Sequence, residues 1–398
     1  MSSNVQHSPF LPFDITALII DIVGEDNDAD LLKELALVSH SFHQICSKHL
    51  FATVDLHDAT RKYASSKKGF IKLVKSRPNV VNYIRKLRYK TYRHNDDDHL
   101  LSPILLSTIS RLNFLAISAF CDWNSLDSSL TSAFLHLICL PTINHIDLWG
   151  IHNFPLSILT RSVNLHRLDT TYLSFDQPEI VVESEMPKIR ELSISYLESL
   201  RVDFLYAKMQ DGRPAFNFMD LRRLWMHFTT FSNDQNVQYL LQNAKTLEKI
   251  HFSVQSGRSL MGLHDILSPI APTLKTLSLS ARTARPSLTG LCKELEAMAG
   301  HYTLEALSII IYLENDDTED SIGSNIQNVE RVLVRPGWST LRHVSFHVSC
   351  WWLPYEAKLS MSEALQCLPD KYLIHLSKLD SVSFNYSVSV EYFKPDLL

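Results

Sequence analysis

The sequence predicts an α/β chain: a short helical region at the front, then a long array in which strands and helices alternate. Three observations predict it. A pattern of apolar residue, two residues, apolar residue, one residue, apolar residue returns twelve times between residues 51 and 384. Helical patterns lie between many of those copies. The first fifty residues instead carry short runs of helical periodicity separated by capping residues.

Composition sets the frame. The chain has 398 residues, 45% apolar and 20% charged, values of a globular protein with a sizeable core. That length suits two or three compact domains or one long repeat array. Only 10 residues are glycine, against a usual share of about 7%, which argues against Gly-rich phosphate loops and turn-dense β-sandwiches. The six cysteines form no CxxC pair, so neither a zinc ribbon nor a disulfide framework is indicated. They read as mostly buried thiols of a reducing compartment, cytoplasm or nucleus. Asp14 and Asp21 interrupt the first apolar run, no basic stretch precedes it, and no later run reaches eighteen apolar residues. A signal peptide or membrane span is therefore not expected.

In the front region "LPFDITALIIDIV" (11–23), Pro12 suits the first turn of a helix and Asp14 its positive end. Leu11, Ile15, Leu18, Ile19 and Ile22 then fall on one helical face, and Ile20 and Val23, off that stripe, are apolar too. "GEDNDAD" (24–30) ends the helix. Asp26, Asp28 and Asp30 alternate as calcium ligands do, but a calcium loop of this type needs Gly at its sixth position and Glu at its twelfth. Leu31 and Leu37 stand there, so a solvated turn with Asp30 capping the next helix is expected. Leu32, Leu35 and Val38 suit that second helix. Ser39 can cap a third, which carries Phe42, Ile45 and Cys46. Three short helices cannot bury so many apolar groups among themselves; the surplus faces either the rest of the chain or a partner.

"LPFDITALIIDIV…DLLKELALVSHSFHQICSKHLF" resembles the F-box. The shared pattern is Leu-Pro-x-Glu-Ile/Leu, an Ile-rich first helix, an acidic break, Asp-Leu, then Val-Ser/Cys-x-x-Trp/Phe. Asp14 stands where Glu is usual, Phe42 fills the Trp/Phe position, and the break is longer and more acidic. The resemblance covers residues 9–50, about a tenth of the chain. It implies docking on a Skp-type adaptor, and through it a cullin, by way of Leu11, Pro12, Ile15, Ile19, Leu32, Leu35, Val38 and Phe42. The alternative is a helical cap on the repeats. Exposure of Ile15, Ile19, Leu32 and Val38 discriminates the two.

The twelve copies start at residues 51, 84, 112, 143, 165, 189, 221, 247, 274, 304, 341 and 379. Their last two apolar positions alternate as one face of a short strand must. Helices are expected over 70–76, 130–140, 237–244, 288–300 and 361–368, while 197–220, 311–340 and 347–378 are the longest insertions. A strand-plus-helix unit of this size closes a core only by stacking on its neighbours. The copies resemble the leucine-rich repeat, with its LxxLxL strand motif, although the asparagine that often follows the strand is missing. That resemblance covers 51–398 as about twelve irregular repeats. It implies a horseshoe-shaped solenoid with a parallel sheet on the concave side and helices on the convex side.

Residues between the apolar positions point out of such a sheet. Lys86, Arg88 and Lys90 come first, then His145, Asp147, Trp149, Arg167, Asp169, Glu191, Arg223, Trp225, His227, Lys249 and His251. Serines and His343 and His347 follow in the late strands. Trp and Arg together are the composition of binding hot spots. Residues 143–252, with His145, Trp149, Arg167, Glu191, Arg223, Trp225, His227 and His251, are therefore the candidate surface for a target protein.

No GxSxG, HExxH, Walker or GxGxxG motif occurs. His343 and His347 would lie about 13 Å apart on a strand, and His40 with His43 lacks a third ligand. No enzyme, cofactor or metal site is expected. The "CWW" at 350–352 reads as a packed anchor. Residues 61–93 hold twelve Lys/Arg and no Asp/Glu, with Tyr63, Tyr83, Tyr89 and Tyr92 among them. This segment could hold a phosphate-bearing ligand or nucleic acid, or lie as a solvated flank. The acidic "ENDDTED" (314–320) reads as solvated.

Together the two resemblances imply a substrate-recognition subunit of an SCF-type (Skp–cullin–F-box) ubiquitin ligase, monomeric within its hetero-complex. The alternatives are a repeat scaffold without a ligase role and, as a lesser one, a phosphate-ligand or nucleic-acid binder through 61–93.

Overall fold

Pro12 opens helix α1 (Phe13–Glu25) in the computed structural model, which describes residues 12–26, 28–57, 66–91, 98–176, 186–195, 205, 214–228, 235–254, 260–283, 290–313, 319–353 and 358–392. Leu11 lies outside the described residues. Helices α2 (Ala29–Ala36) and α3 (His40–Leu50) follow. Ser39 caps α3 as expected, its hydroxyl accepting from Phe42 N at 3.3 Å. The cap of α2 is Asp28, which accepts from Leu31 N at 3.0 Å. Asp30 instead sits in the first turn and pairs with Lys33 at 2.8 Å. The acidic run offers several carboxylates, and the one just outside the first helical residue takes the free N–H groups.

The chain divides into two compact units, Met1–Asn153 and Phe154–Leu398. After α1–α3 the first unit holds β1 (Thr53–His57), α4 (Ser66–Ser76), β2 (Lys86–Thr91), α5 (Asp98–Thr108), β3 (Phe114–Asp122), α6 (Ser128–Ile138) and β4 (His145–His152). Its four strands pair in chain order, all parallel. Val54, Leu87, Leu115 and Ile146 stand in one register, and Leu56, Tyr89, Ile117 and Leu148 in the next. These side chains face α4 and α6: Tyr89 packs edge-on against Phe134 with ring centres 5.0 Å apart.

The second unit holds α7 (Leu156–Leu159), β5 (Arg167–Thr171), β6 (Glu191–Ser195), β7 (Arg223–Phe228), α8 (Gln235–Asn243), β8 (Lys249–Val254), α9 (Leu263–Leu267) and β9 (Thr276–Thr283). It continues with α10 (Leu291–Met298), β10 (Ala306–Leu313), α11 (Glu319–Leu333), β11 (His343–Leu353), α12 (Lys358–Gln366), α13 (Leu368–Tyr372) and β12 (Ser383–Tyr392). Its eight strands again pair parallel and in chain order. All five expected helices are present. α5, with Pro103 inside it, and α11 fall where the sequence had shown no helix.

Eleven copies of the repeat pattern begin two residues before their strand. Ile84, Leu112 and Ile143 in the first unit, and Leu165, Ile189, Leu221, Leu247, Leu274, Leu304 and Leu341 in the second, are at most 1% exposed. These residues wedge the turn into each strand. The twelfth copy is corrected by the pairing. Val344 pairs with Phe384 and Phe346 with Tyr386, so the repeat begins at Ser381 and not at Leu379. A shift of two keeps side chains on the same face, and the alternating sequence alone does not choose between the registers.

A second device recurs at the turn. Thr142, Thr246, Thr303 and Thr340 each immediately precede a first apolar position. The hydroxyls of Thr142 and Thr340 donate to Leu112 O (2.6 Å) and Leu304 O (2.9 Å), while Thr246 and Thr303 reach Met219 O (2.8 Å) and Pro272 O (3.1 Å) more closely than Leu221 O (3.2 Å) and Leu274 O (3.4 Å). Each bond ties one repeat to the preceding one where the chain bends. Carboxylates do the same work on the helical side. Glu294 accepts from Gly262 N and His264 N at 2.9 and 2.7 Å, capping α9. Glu330, 3% exposed, accepts from His375 N and Leu376 N at 2.7 and 2.9 Å.

Candidate functional site

The three front helices build a small core of their own. Ile20, Leu32, Ile45 and Cys46 form it, with Ala17, Val23, Leu35, Ala36, Phe42 and Leu50 packed around them. Helix α1 turns its Thr16–Ile20–Val23 side to this core. The richer stripe faces out: Ile15 is 46% exposed, Leu18 58%, Ile19 47% and Ile22 53%. Phe13, Leu31, Leu37 and Val38 are exposed as well, so eight of the fifteen exposed large apolar side chains among the described residues lie between Phe13 and Val38. Clustered exposed apolar side chains of this kind are a feature that interaction surfaces share.

The sequence-predicted adaptor residues therefore separate into two layers. Pro12, Ile15, Ile19 and Val38 are exposed. Leu35 and Phe42 are half-buried, and Leu32, at 3% exposure, is inside the core. Leu32 supports the patch from beneath and offers it no surface, because its place on α2 faces Ile20 and Ile45. Phe13, Leu18, Ile22 and Leu37 were not among the predicted contacts, although three of them belong to the same apolar helix.

Polar groups fix α1 on α3. Asp21 accepts from Lys48 at 2.6 Å and stands 2.7 Å from His49 Nε2. The hydrogen bond from Lys48, then that from His49, holds the Asp21 carboxyl below its ordinary value. Gly24 lies directly over the His49 ring, where a Cβ would overlap it.

The candidate target-binding residues fall in both units. In the first, Trp149 stacks edge-on against Phe120 with ring centres 4.3 Å apart, and His145 against Phe114 at 4.5 Å. Phe120, 53% exposed, was not predicted; its place in the strand, two residues after Ser118 on the outward face, was the available signal. In the second unit, Arg167, Glu191, Arg223 and Lys249 stand in one register across β5–β8. Glu191 bridges Arg223 at 3.0 Å and Arg167 at 3.5 Å. Arg167 also pairs with Asp169 at 3.0 Å and lies over the Trp225 ring at 5.6 Å. Trp225 is flanked by His251 in the next strand. His251 Nδ1 lies 2.8 Å from Ser278 Oγ. Burial, then the nearby charge of His227, lowers the His251 pKa. Among the described residues its hydrogen-bond partners are serines, with Ser280 on its far side at 3.4 Å. The pair offers a polar contact on the sheet face.

The basic segment 61–93 is divided between two faces. Residues 61–65, 92 and 93, with Tyr63 and Tyr92, lie outside the described residues. Lys86, Arg88 and Lys90 face out of the sheet, whereas Lys68, Lys72 and Lys75 lie on α4. Tyr89 points inward, 1% exposed, and Lys67 is fully buried beside it, Nζ to phenol oxygen 2.9 Å. Tyr89 is therefore unavailable for stacking on a base. The side chains of Trp351 and Trp352 and most of 314–320 also lie outside the described residues. Among the described residues no three His, Cys, Asp or Glu side chains are placed to share a metal ion, and no helix is long and apolar enough to cross a membrane. A scan against protein-family models finds no match to this chain, and neither does a search of curated proteins.

Proposed function

We propose that this chain is a substrate receptor of an SCF-type ubiquitin ligase, with α1–α3 docking on a Skp-type adaptor and the leucine-rich-repeat sheet holding a target protein. The observation that carries the reading is the outward apolar face of α1 and of the α2–α3 turn. Ile15, Ile19 and Val38 remain exposed on a trio of helices that already has its own core. Each is about half exposed, so burying the remainder contributes about 1 kcal/mol per side chain, and several together work against the cost of association.

The receptor performs no bond chemistry under this proposal. It raises the target's effective concentration beside a charged ubiquitin-conjugating enzyme and limits its orientation. The outward faces of both units suit the second half of that task. Their rigid parallel strands present Trp149 and Phe120 in one unit and Trp225 with the Arg167–Glu191–Arg223 row in the other. The test is co-purification of the full chain with a Skp-type adaptor. Stoichiometric capture supports the receptor; a folded chain that captures none is a repeat scaffold without a ligase role.

A further inference from the structure

We propose that the helical side of the first unit carries a second docking site, a lysine-lined cleft that takes an acidic amphipathic helix of a partner protein. The cleft, about 560 Å³, is lined by Lys68, Ile71, Lys72, Lys75 and Ser76 of α4 and by Leu100 of α5. Lys68, Lys72 and Lys75 are spaced i, i+4 and i+7 and so share one face of α4. They extend over about 10 Å of helix at 1.5 Å per residue. Among the described residues neither Lys72 nor Lys75 has an ion-pair partner. Ile71, 6% exposed, forms the apolar floor, and Leu100 stays 45% exposed beside it.

The form of the cleft selects its occupant. A compact phosphate group favours converging donors and the positive end of a helix. Here Lys72 and Lys75 lie on the C-terminal half of α4, where the helix dipole is negative, and Lys68 stands back in its first turn, so the three cations do not converge on one point. The Ser76 hydroxyl already donates to Leu73 O at 2.9 Å. A partner helix with carboxylates at i and i+3 matches the spacing of Lys72 and Lys75, and a Leu or Phe beside them meets Ile71 and Leu100. This face is opposite the one that carries Lys86, Arg88 and Lys90, since Phe70 and Val74 of α4 are buried against the sheet's inner side. The site is thus independent of target binding on the sheet.

The experiment selects a display library of random 14-residue peptides on the full chain and, in parallel, on its Lys72→Glu/Lys75→Glu variant. Both substituted side chains are exposed, and equal melting temperatures check that the variant folds. The wild type is expected to enrich peptides with acidic residues at helical spacing around an apolar anchor. Fluorescence anisotropy with an enriched peptide should show binding weakened about tenfold or more in the variant and falling steeply with salt. Enrichment that is identical on both proteins, or no enrichment, overturns the proposal. So does retention of the wild type, and not the variant, on phosphatidylserine vesicles without any peptide selection, which would assign the lysine row to a membrane surface.

Discussion

Asp21 of α1 and His49 of α3 are 28 residues apart in sequence and 2.7 Å apart in space, with Lys48 completing the contact at 2.6 Å. This contact orients the apolar stripe of α1. Asp21 lies a single residue from Ile20, which points into the core, and from Ile22, which points out. The ion pair thus favours, beside the core contacts of Ile20, the packing that turns Ile20 and not Ile22 inward.

The contact makes the front helices pH-sensitive at the acid end. A carboxyl whose folded pKa is depressed contributes stability that is fully present above its unfolded value and is lost as pH falls through the folded one. For Asp21, ordinarily 3.8, the loss begins below about that pH and is complete only further down. Asp21→Asn should remove this acid step and cost well under about 1 kcal/mol at neutral pH, since the pair is partly solvated. Amide exchange of α1 against pH measures it. An unchanged acid step in the variant would assign the step to another group.

Core and face should respond differently to substitution. Leu32→Ala empties a position 3% exposed and should destabilise the front helices by about 2–5 kcal/mol. Leu37→Ala, at 88% exposure, should leave stability within about 0.5 kcal/mol. Amide exchange in α1–α3 distinguishes the two. Equal effects would mean that the outward face is packed.

Much of this arrangement was legible in the sequence, and what was missed has physical causes. The strand positions followed from the repeat, because an apolar residue at the turn and two on one strand face are what a stacked unit must bury. The direction in which α1 packs did not follow. Periodicity assigns the richest face to the interior, yet here the weaker Thr16–Ala17–Ile20 side packs and the richer one is left out. The cap of α2 and the register of β12 failed for a shared reason: equivalent residues lay one or two positions away, and only pairing chose among them. α11 was readable, since Ile322, Ile326, Val329 and Leu333 stand at i, i+4, i+7 and i+11 and are buried. Pro103 concealed α5.

The threonines before the repeats give a prediction at the level of the turn. Thr340→Val keeps the shape and removes the bond to Leu304 O. It should cost about 0.5–1.5 kcal/mol, measured by urea unfolding. No loss would mean that the hydroxyl bond is replaced by solvent.

Glu330 is a more severe test of the helical side. It satisfies two backbone N–H groups at 2.7 and 2.9 Å. Glu330→Ala leaves both without an acceptor and should cost more than Glu330→Gln, which keeps one carbonyl oxygen in place; the alanine loss should be about 2 kcal/mol or more. Matching melting temperatures for the two variants would contradict the capping role.

The central claim is that the outward face of α1 and the α2–α3 turn binds a Skp-type adaptor. The most direct measurement is the affinity of that adaptor for the full chain and for its Ile19→Asp/Val38→Asp variant, with thermal melting of both. Both positions are exposed, at 47% and 65%, so melting should hardly change while affinity falls about a hundredfold or more. Equal affinity for the two proteins, or no binding to either, would contradict the account.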